Sequence, residues 1–548
     1  MSGLRRTAFL VGALALLGAG AWAGTWEPDR RLTFGPSQSL TSYNFARSVA
    51  AEPDGRVHVV WYDNRGGSSQ IYTKRSLDHG ATWEKDLLLS PGFELAEYPA
   101  IASSGQTVLV VWHGRLSGAT SFDVFLRRSL DGGRSWGPVA ALTASHLAAY
   151  SAVALSGLTA QIVWGDGRSG FTEVFTRHSS DGGASWGEER QVSAGHRAAS
   201  WVPTVEVAGE AVHVAWVDTQ DGNEEEYYRR STDSGRTWEP VLRLTRNAAS
   251  SWAPSLAVAG SRVHLVWFDQ RDSPVQPAAA EAELDGILRQ LGLPYLPEPA
   301  GVLVPNPLEE ARRRCGEKAQ EIEAAAPAWA AAGGDVAQLQ AILNEVQALG
   351  AQGATYLVKE RKLDEALRLL GLVYHLHPFP DVPLIASIDA MQIRVADKLQ
   401  QVFAAAPAWV AGGGDPVALE AELHAFQQHF EQSLHEWEIY TRRSDDGGHT
   451  WGPIVRLTRT PGLSQRPSVV ADGDHVTLLW FDDRDGNLEI YAKESADGGD
   501  TWSADRRLTR APGDSRNVSV ATAGGELYAV WYDERDGNPE IYFKHRAR

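Results

Sequence analysis

The chain has 548 residues, one cysteine, and 69 acidic against 51 basic side chains, a formal net charge of −18. A lone Cys315 excludes an internal disulfide, and the length suffices for a buried core without covalent staples. The acidic balance argues against nucleic acid and anionic membranes as general partners.

Taken in chain order, Met1–Ala23 reads as a signal peptide. Arg5-Arg6 forms its charged start, Ala8–Ala19 its apolar stretch and Ala21-Trp22-Ala23 a small-x-small cleavage site. The expectation is a secreted or periplasmic protein with no membrane span once this leader is removed. From there a unit of about 50 residues repeats. Its most regular beat is Ser-x-Asp-x-Gly-x-Thr/Ser-Trp, at Ser76–Trp83, Ser129–Trp136, Ser179–Trp186, Ser231–Trp238, Ser444–Trp451 and Ser495–Trp502. A second beat, an apolar run ending in Trp, recurs at Trp61, Trp112, Trp164, Trp216, Trp267, Trp480 and Trp531. Short runs of Val, Ile, Tyr, Trp and Thr bounded by Gly, Asp and Asn make each unit four strands. A radial array of four-stranded blades fits them.

The last unit stops at Ile541-Tyr542-Phe543-Lys544-His545, without a complete Ser-x-Asp box. The missing piece stands at the other end, where Gly24-Thr25-Trp26 and Arg30-Arg31-Leu32-Thr33 match the end of a box and an outermost strand. The predicted fold is therefore an all-β, seven-bladed β-propeller closed by its N-terminal strand, which hides the sheet edges. Between the second and third strands of blade five the pattern gives way to Ala, Leu, Glu and Gln. Helical spacing appears at Leu284, Ile287, Leu288 and Leu291, at Leu363, Ala366, Leu367 and Leu370, and at Leu419, Leu423, Phe426 and Phe430. An inserted all-α domain of about five helices is expected over 273–437, entered through Pro274 and Pro277. It divides the propeller into 24–272 and 438–548. Inside it Ala324-Ala325-Ala326-Pro327-Ala328-Trp329 recurs as Ala404-Ala405-Ala406-Pro407-Ala408-Trp409. Each copy is followed by Gly-Gly-Asp, with Asp335 and Asp415 as helix caps.

The boxes resemble the Asp box, or BNR repeat, of the sialidase superfamily of β-propellers. The resemblance covers the chain apart from the leader and the insertion. The boxes themselves read as structural, since no catalytic group is needed six times. The same holds for the Asp-x-Arg that follows the second-strand Trp in most blades, as at Asp63/Arg65 and Asp482/Arg484.

Residues that differ between blades are better candidates for function. Counting back 14 or 15 positions from each second-strand Trp, to where the innermost strand begins, gives Arg47, then Glu97 and Tyr98, Tyr150, Trp201, Trp252, Arg466 and Arg516. Arginines mark blades six, seven and one; aromatics and one Glu mark blades two to five. A funnel basic on one side and aromatic on the other suits an acidic sugar, since guanidinium grips carboxylate in a fork and aromatic faces pack on pyranose rings. The resemblance implies an arginine clamp of Arg47, Arg466 and Arg516, a nucleophile at Tyr98 or Tyr150, Glu97 as its base and Asp63 as acid. The chain departs from that family in having seven blades where catalytic sialidases have six, and in lacking their Phe/Tyr-Arg-Ile-Pro signature; Phe45-Ala46-Arg47-Ser48-Val49 is the nearest stretch. Three readings follow: a sialidase-like glycoside hydrolase, a non-catalytic glycan- or protein-binding propeller whose insertion adds a partner surface, and an envelope assembly factor. No metal-ligand cluster or cofactor motif stands out, so neither a metal nor a cofactor is expected.

Overall fold

The computed structural model describes residues 24–548 except positions 44–45, 120, 195–198, 222, 248, 273–276, 294–306, 352–362, 364–365, 368, 371–397, 400, 404, 436, 461 and 548. The leader, Phe45 and Pro274 thus lie outside the described residues.

The described strands form seven antiparallel sheets arranged as a seven-bladed β-propeller. In blade six the strands are Ser464–Asp472, His475–Asp482, Glu489–Ser495 and Arg506–Arg507, from the axis outward. Blade seven takes its first three from Ser515–Ala523, Glu526–Asp533 and Glu540–Arg546, and its fourth from Arg30–Arg31 near the N-terminus. That strand pairs antiparallel, Arg30 with Phe543 and Arg31 with Tyr542. Arg31 reaches Glu540 at 2.7 Å, as Arg507 reaches Glu489 at 2.7 Å and Arg456 reaches Glu438 at 2.8 Å. The terminal strand therefore reproduces the pairing of an ordinary fourth strand. In blade one the innermost strand is interrupted, as Ser39–Leu40 and Val49–Ala51, both on Val57–Asp63.

Two constant devices hold each blade. The second-strand Trp side chains are at most 1 % exposed in all seven blades, and most stack on a third-strand aromatic, such as Trp480 on Tyr491. Burial of such rings removes a large apolar area from water in each blade. In five blades the indole N–H is answered by the carboxylate two residues on: Trp480 Nε1 donates to Asp482 at 3.1 Å, and Ser464 Oγ, the Arg484 amide and the Arg484 guanidinium donate to the same group. Asp166, Asp269 and Asp533 repeat this network. The second device is the box turn. Asp78 accepts from the Thr82 amide at 2.8 Å and from its hydroxyl at 2.6 Å, while Ser76 Oγ accepts from the Gly80 amide at 2.8 Å. These bonds favour the charged carboxylate and hold Asp78 down at about 2.

Between Arg262–Asp269 and Glu438–Ser444 the described residues are helical over Pro277–Gln290, Pro307–Ala331, Val336–Ala351 and Pro416–His435. Asp335 accepts from the Ala337 and Gln338 amides, and Asp415 from the Val417 and Ala418 amides. Each duplicated Trp covers a glycine: a Cβ at Gly334 would lie 2.3 Å from Trp329, and one at Gly414 equally close to Trp409. Leu284, Ile287, Leu288, Leu419, Phe426 and Phe430 share one apolar cluster with Trp252, Ala253 and Trp437 of the propeller. No described helix is long and apolar enough to cross a membrane.

Candidate functional site

The channel mouth is built by a bulge repeated around the ring. In six innermost strands the register slips where two residues face the second-strand Trp, for example between Trp201 and Thr204 and between Gln465 and Ser468. The first residue of each bulge is left-handed: Tyr98, Tyr150, Val202, Ala253, Arg466 and Asn517 have φ between 51° and 60°. Side chains rarely accept that conformation, and in four blades the next residue is a proline: Pro99, Pro203, Pro254 and Pro467. Arg47, the seventh member, sits in the interruption of blade one.

The bulge separates the sequence candidates into two sets. Arg47, Tyr98, Tyr150 and Arg466 occupy the bulge position, 14 before the Trp; Glu97, Trp201, Trp252 and Arg516 come one residue earlier. The true bulge members of blades four, five and seven are Val202, Ala253 and Asn517. A count allowing 14 or 15 mixed the two sets. The prolines, 13 before the Trp in every case, carry the signal that distinguishes them.

The structure gathers Arg466, Arg516 and Tyr98 on one side with Tyr43 and Tyr532, which sequence reasoning missed. The Arg466 guanidinium lies 4.7 Å from the centre of the Tyr43 ring, and its Nη1 donates to Asn517 Oδ1 at 2.9 Å. Tyr43 and Tyr532 share a 2.7 Å hydroxyl contact. Arg516 pairs with Asp514. Burial lowers Arg466, and the nearby Arg516 charge adds to that shift. A small polar cavity opens here, lined by Ser42, Ser48, Arg466, Ser468, Asn517 and Ser519. Beside it Tyr98 stacks on Tyr150 at 6.0 Å and meets Tyr62 edge-on at 5.6 Å. Burial, then the neighbouring Glu97, pushes the Tyr98 phenol well above 10. Burial likewise raises the Glu97 carboxyl, against a bond from Ser69.

Other candidates lie apart from this group. Arg47 crosses the channel: its guanidinium pairs with Glu206 of blade four at 2.5 Å and donates to the Leu256 carbonyl of blade five at 3.4 Å. Trp201 and Trp252 lie 6.0 Å apart, but Trp252 is 1 % exposed and belongs to the cluster shared with the helices. Asp63 accepts from Ser37, Ser39 and both the amide and guanidinium of Arg65, the same employment its counterparts have in other blades.

No family model matches the chain, and no curated protein matches it in sequence. Among solved structures it is similar to a mutant α-L-arabinofuranosidase from Fusarium graminearum bound to an iminosugar inhibitor (13 % identity, 82 % of this chain and 91 % of that one, TM-score 0.38). It is also similar to Trypanosoma rangeli sialidase in complex with sialic acid (9 %, 96 % and 59 %, 0.38) and to a Hadza microbial sialidase (11 %, 87 % and 73 %, 0.37). These superpositions are weak, and the seven-bladed propeller stands on its own strand order.

Proposed function

We propose that this chain is a secreted ligand-binding propeller whose channel mouth, at blades six, seven and one, takes an acidic sugar or a like carboxylate without cleaving it. The observation that carries this reading is the Arg466 guanidinium, set over the Tyr43 ring and lining a polar cavity, with the Arg516 charge near enough to lower it. An incoming carboxylate meets Arg466, which burial and the Arg516 charge lower, and shares the Arg516 guanidinium with Asp514. Arg47, engaged with Glu206, is left out of the clamp.

Burial raises the Tyr98 phenol, so as a nucleophile it depends on a base that takes its proton, and the Glu97 carboxyl is engaged by Ser69. That favours binding over hydrolysis. The hydrolase reading retains one specific support, the Arg466 charge that opposes this rise; in it Tyr98 is the nucleophile and Glu97 the base. Calorimetric titration with free sialic acid, alongside assay of sugar release from α-sialosides and other acidic glycans, separates them. Binding weakened at least tenfold by Arg516→Ala, with no release, is expected. Release abolished by Tyr98→Phe establishes the hydrolase instead, and absence of both binding and release rejects an acidic-sugar site.

A further inference from the structure

Among the described residues six of the seven blade junctions have no histidine pair, and the junction where the ring closes is different. At four junctions a third-strand arginine donates to a carbonyl in the next blade's box turn: Arg75 to Gly132 at 2.8 Å, Arg128 to Asp181 at 3.1 Å, Arg443 to Gly498 at 2.8 Å, and Arg230 to Gly447. Between blades seven and one the corresponding third-strand residue is His545. The box residue it faces is His79, where four other boxes have glycine and one has Ser234. Glu526 opens the second strand of blade seven between them. His79, Glu526 and His545 each offer a ligand atom, all within 4.8 Å of one another.

We propose that His79, Glu526 and His545 form a divalent-metal site of the zinc class that ties blade seven to blade one. Two imidazoles and a carboxylate are the donor set of three-ligand zinc sites, with a fourth position open to solvent. Two nitrogen donors select zinc, cobalt or copper over magnesium and calcium. The surroundings suit a metal. His545 Nδ1 lies 3.1 Å from Glu27, so an N–H there donates to a carboxylate and turns the Nε2 lone pair inward, toward Glu526 at 3.1 Å. A carboxylate behind the ligand imidazole is the usual support of a zinc-bound histidine. Tyr528 hydroxyl donates to Glu526 at 2.6 Å and fixes that carboxylate, and His79 Nδ1 faces the same oxygen. His79 itself is left-handed, φ 57°, where glycine sits without strain. Arg30 of the closing strand donates to the Gly80 carbonyl beside the site. The chemical logic is substitution of charge: where other junctions use a guanidinium, this one gathers two imidazoles on one carboxylate, three ligands that a cation can draw together.

The test uses the tag-free chain, freed of metal by chelator and dialysed. Expected are one Zn²⁺ bound per chain by calorimetry, a melting temperature that rises with Zn²⁺ concentration, and a visible Co²⁺ spectrum that Zn²⁺ displaces, with Ca²⁺ and Mg²⁺ inert. His79→Gly restores the residue of the other boxes, so it is expected to melt no lower than the parent in chelator yet to lose the Co²⁺ spectrum and the Zn²⁺ shift. Glu27→Gln is expected to weaken Zn²⁺ about 10–100-fold. A parental chain with no Co²⁺ or Zn²⁺ response overturns the proposal and leaves an ordinary imidazole–carboxylate cluster. So does a response unchanged in His79→Gly.

Discussion

Two positions in each blade make an instructive contrast. Two residues after the second-strand Trp stands a carboxylate in six of seven blades, Asp482 being typical, while blade two has Gly114. Fourteen residues before the same Trp stands the bulge residue, which is Arg, Tyr, Tyr, Val, Ala, Arg and Asn around the ring. The first position is buried and meets up to four donors, so one side chain answers in six blades. The second is fixed in backbone conformation but not in chemistry. The propeller thus repeats its geometry and varies its contents, and a site arises where unlike residues meet on an identical frame.

The sharpest way to break the contrast is Asp482→Ala. It leaves the buried Ser464 and Trp480 donors without their acceptor, at about 1–3 kcal/mol each, while Arg484 keeps Asp505 at 2.7 Å; the loss is to be read from guanidinium chloride unfolding. A loss below about 1 kcal/mol would put the constant position on the same footing as a surface one. Acid acts next. Burial keeps His58 neutral down to about 3, and His113, His213 and His264 down to about 4, against an ordinary 6.5. The unfolded chain takes up these protons first, so stability is full above pH 6.5 and falls as pH drops toward 4. Each ring contributes a slope of about 1.4 kcal/mol per pH unit in that window. Melting curves flat between pH 7 and pH 5 would contradict it.

Smaller effects probe the turns and the bulges. Ser495→Ala removes the acceptor for the Asp497 and Gly499 amides and the donor to Asp497, at about 1 kcal/mol. A drop of a few degrees in melting temperature checks it. Ala253→Gly relieves a left-handed alanine, worth about 1–2 kcal/mol, against the roughly 0.4–1 kcal/mol that a freer unfolded chain gives back. The net expectation is slight stabilisation. Destabilisation by this change would mean that the bulge is held by contacts of the Ala253 methyl rather than tolerated for its geometry.

Much of the frame was legible because it repeats. The Trp period sets seven blades, and the orphan Arg30-Arg31-Leu32-Thr33 supplies the missing strand. The channel was less so. A bulge shifts side chains by one position without altering composition, so Trp201 and Trp252 entered the candidate set in place of Val202 and Ala253. The contact of Arg47 with Glu206 spans three blades, and that of Arg466 with Tyr43 joins blade six to the loop of blade one. Neither has any local trace in the chain. His79, Glu526 and His545 escaped notice for the same reason.

The closing sheet also sets an order of events. Arg30 and its partner Phe543 lie more than five hundred positions apart in the chain, yet lengthening a loop adds only logarithmically to the entropy of joining its ends. What the separation governs is timing. During synthesis or translocation the first strand emerges early and waits, unpaired, until nearly the last residues follow it. Blades two to six, whose hairpins are local apart from the helical excursion in blade five, are free to form meanwhile. Until residues 540–546 arrive, the nascent protein is an open arc with two bare sheet edges, a state prone to wrong pairing that a stall late in translation would prolong.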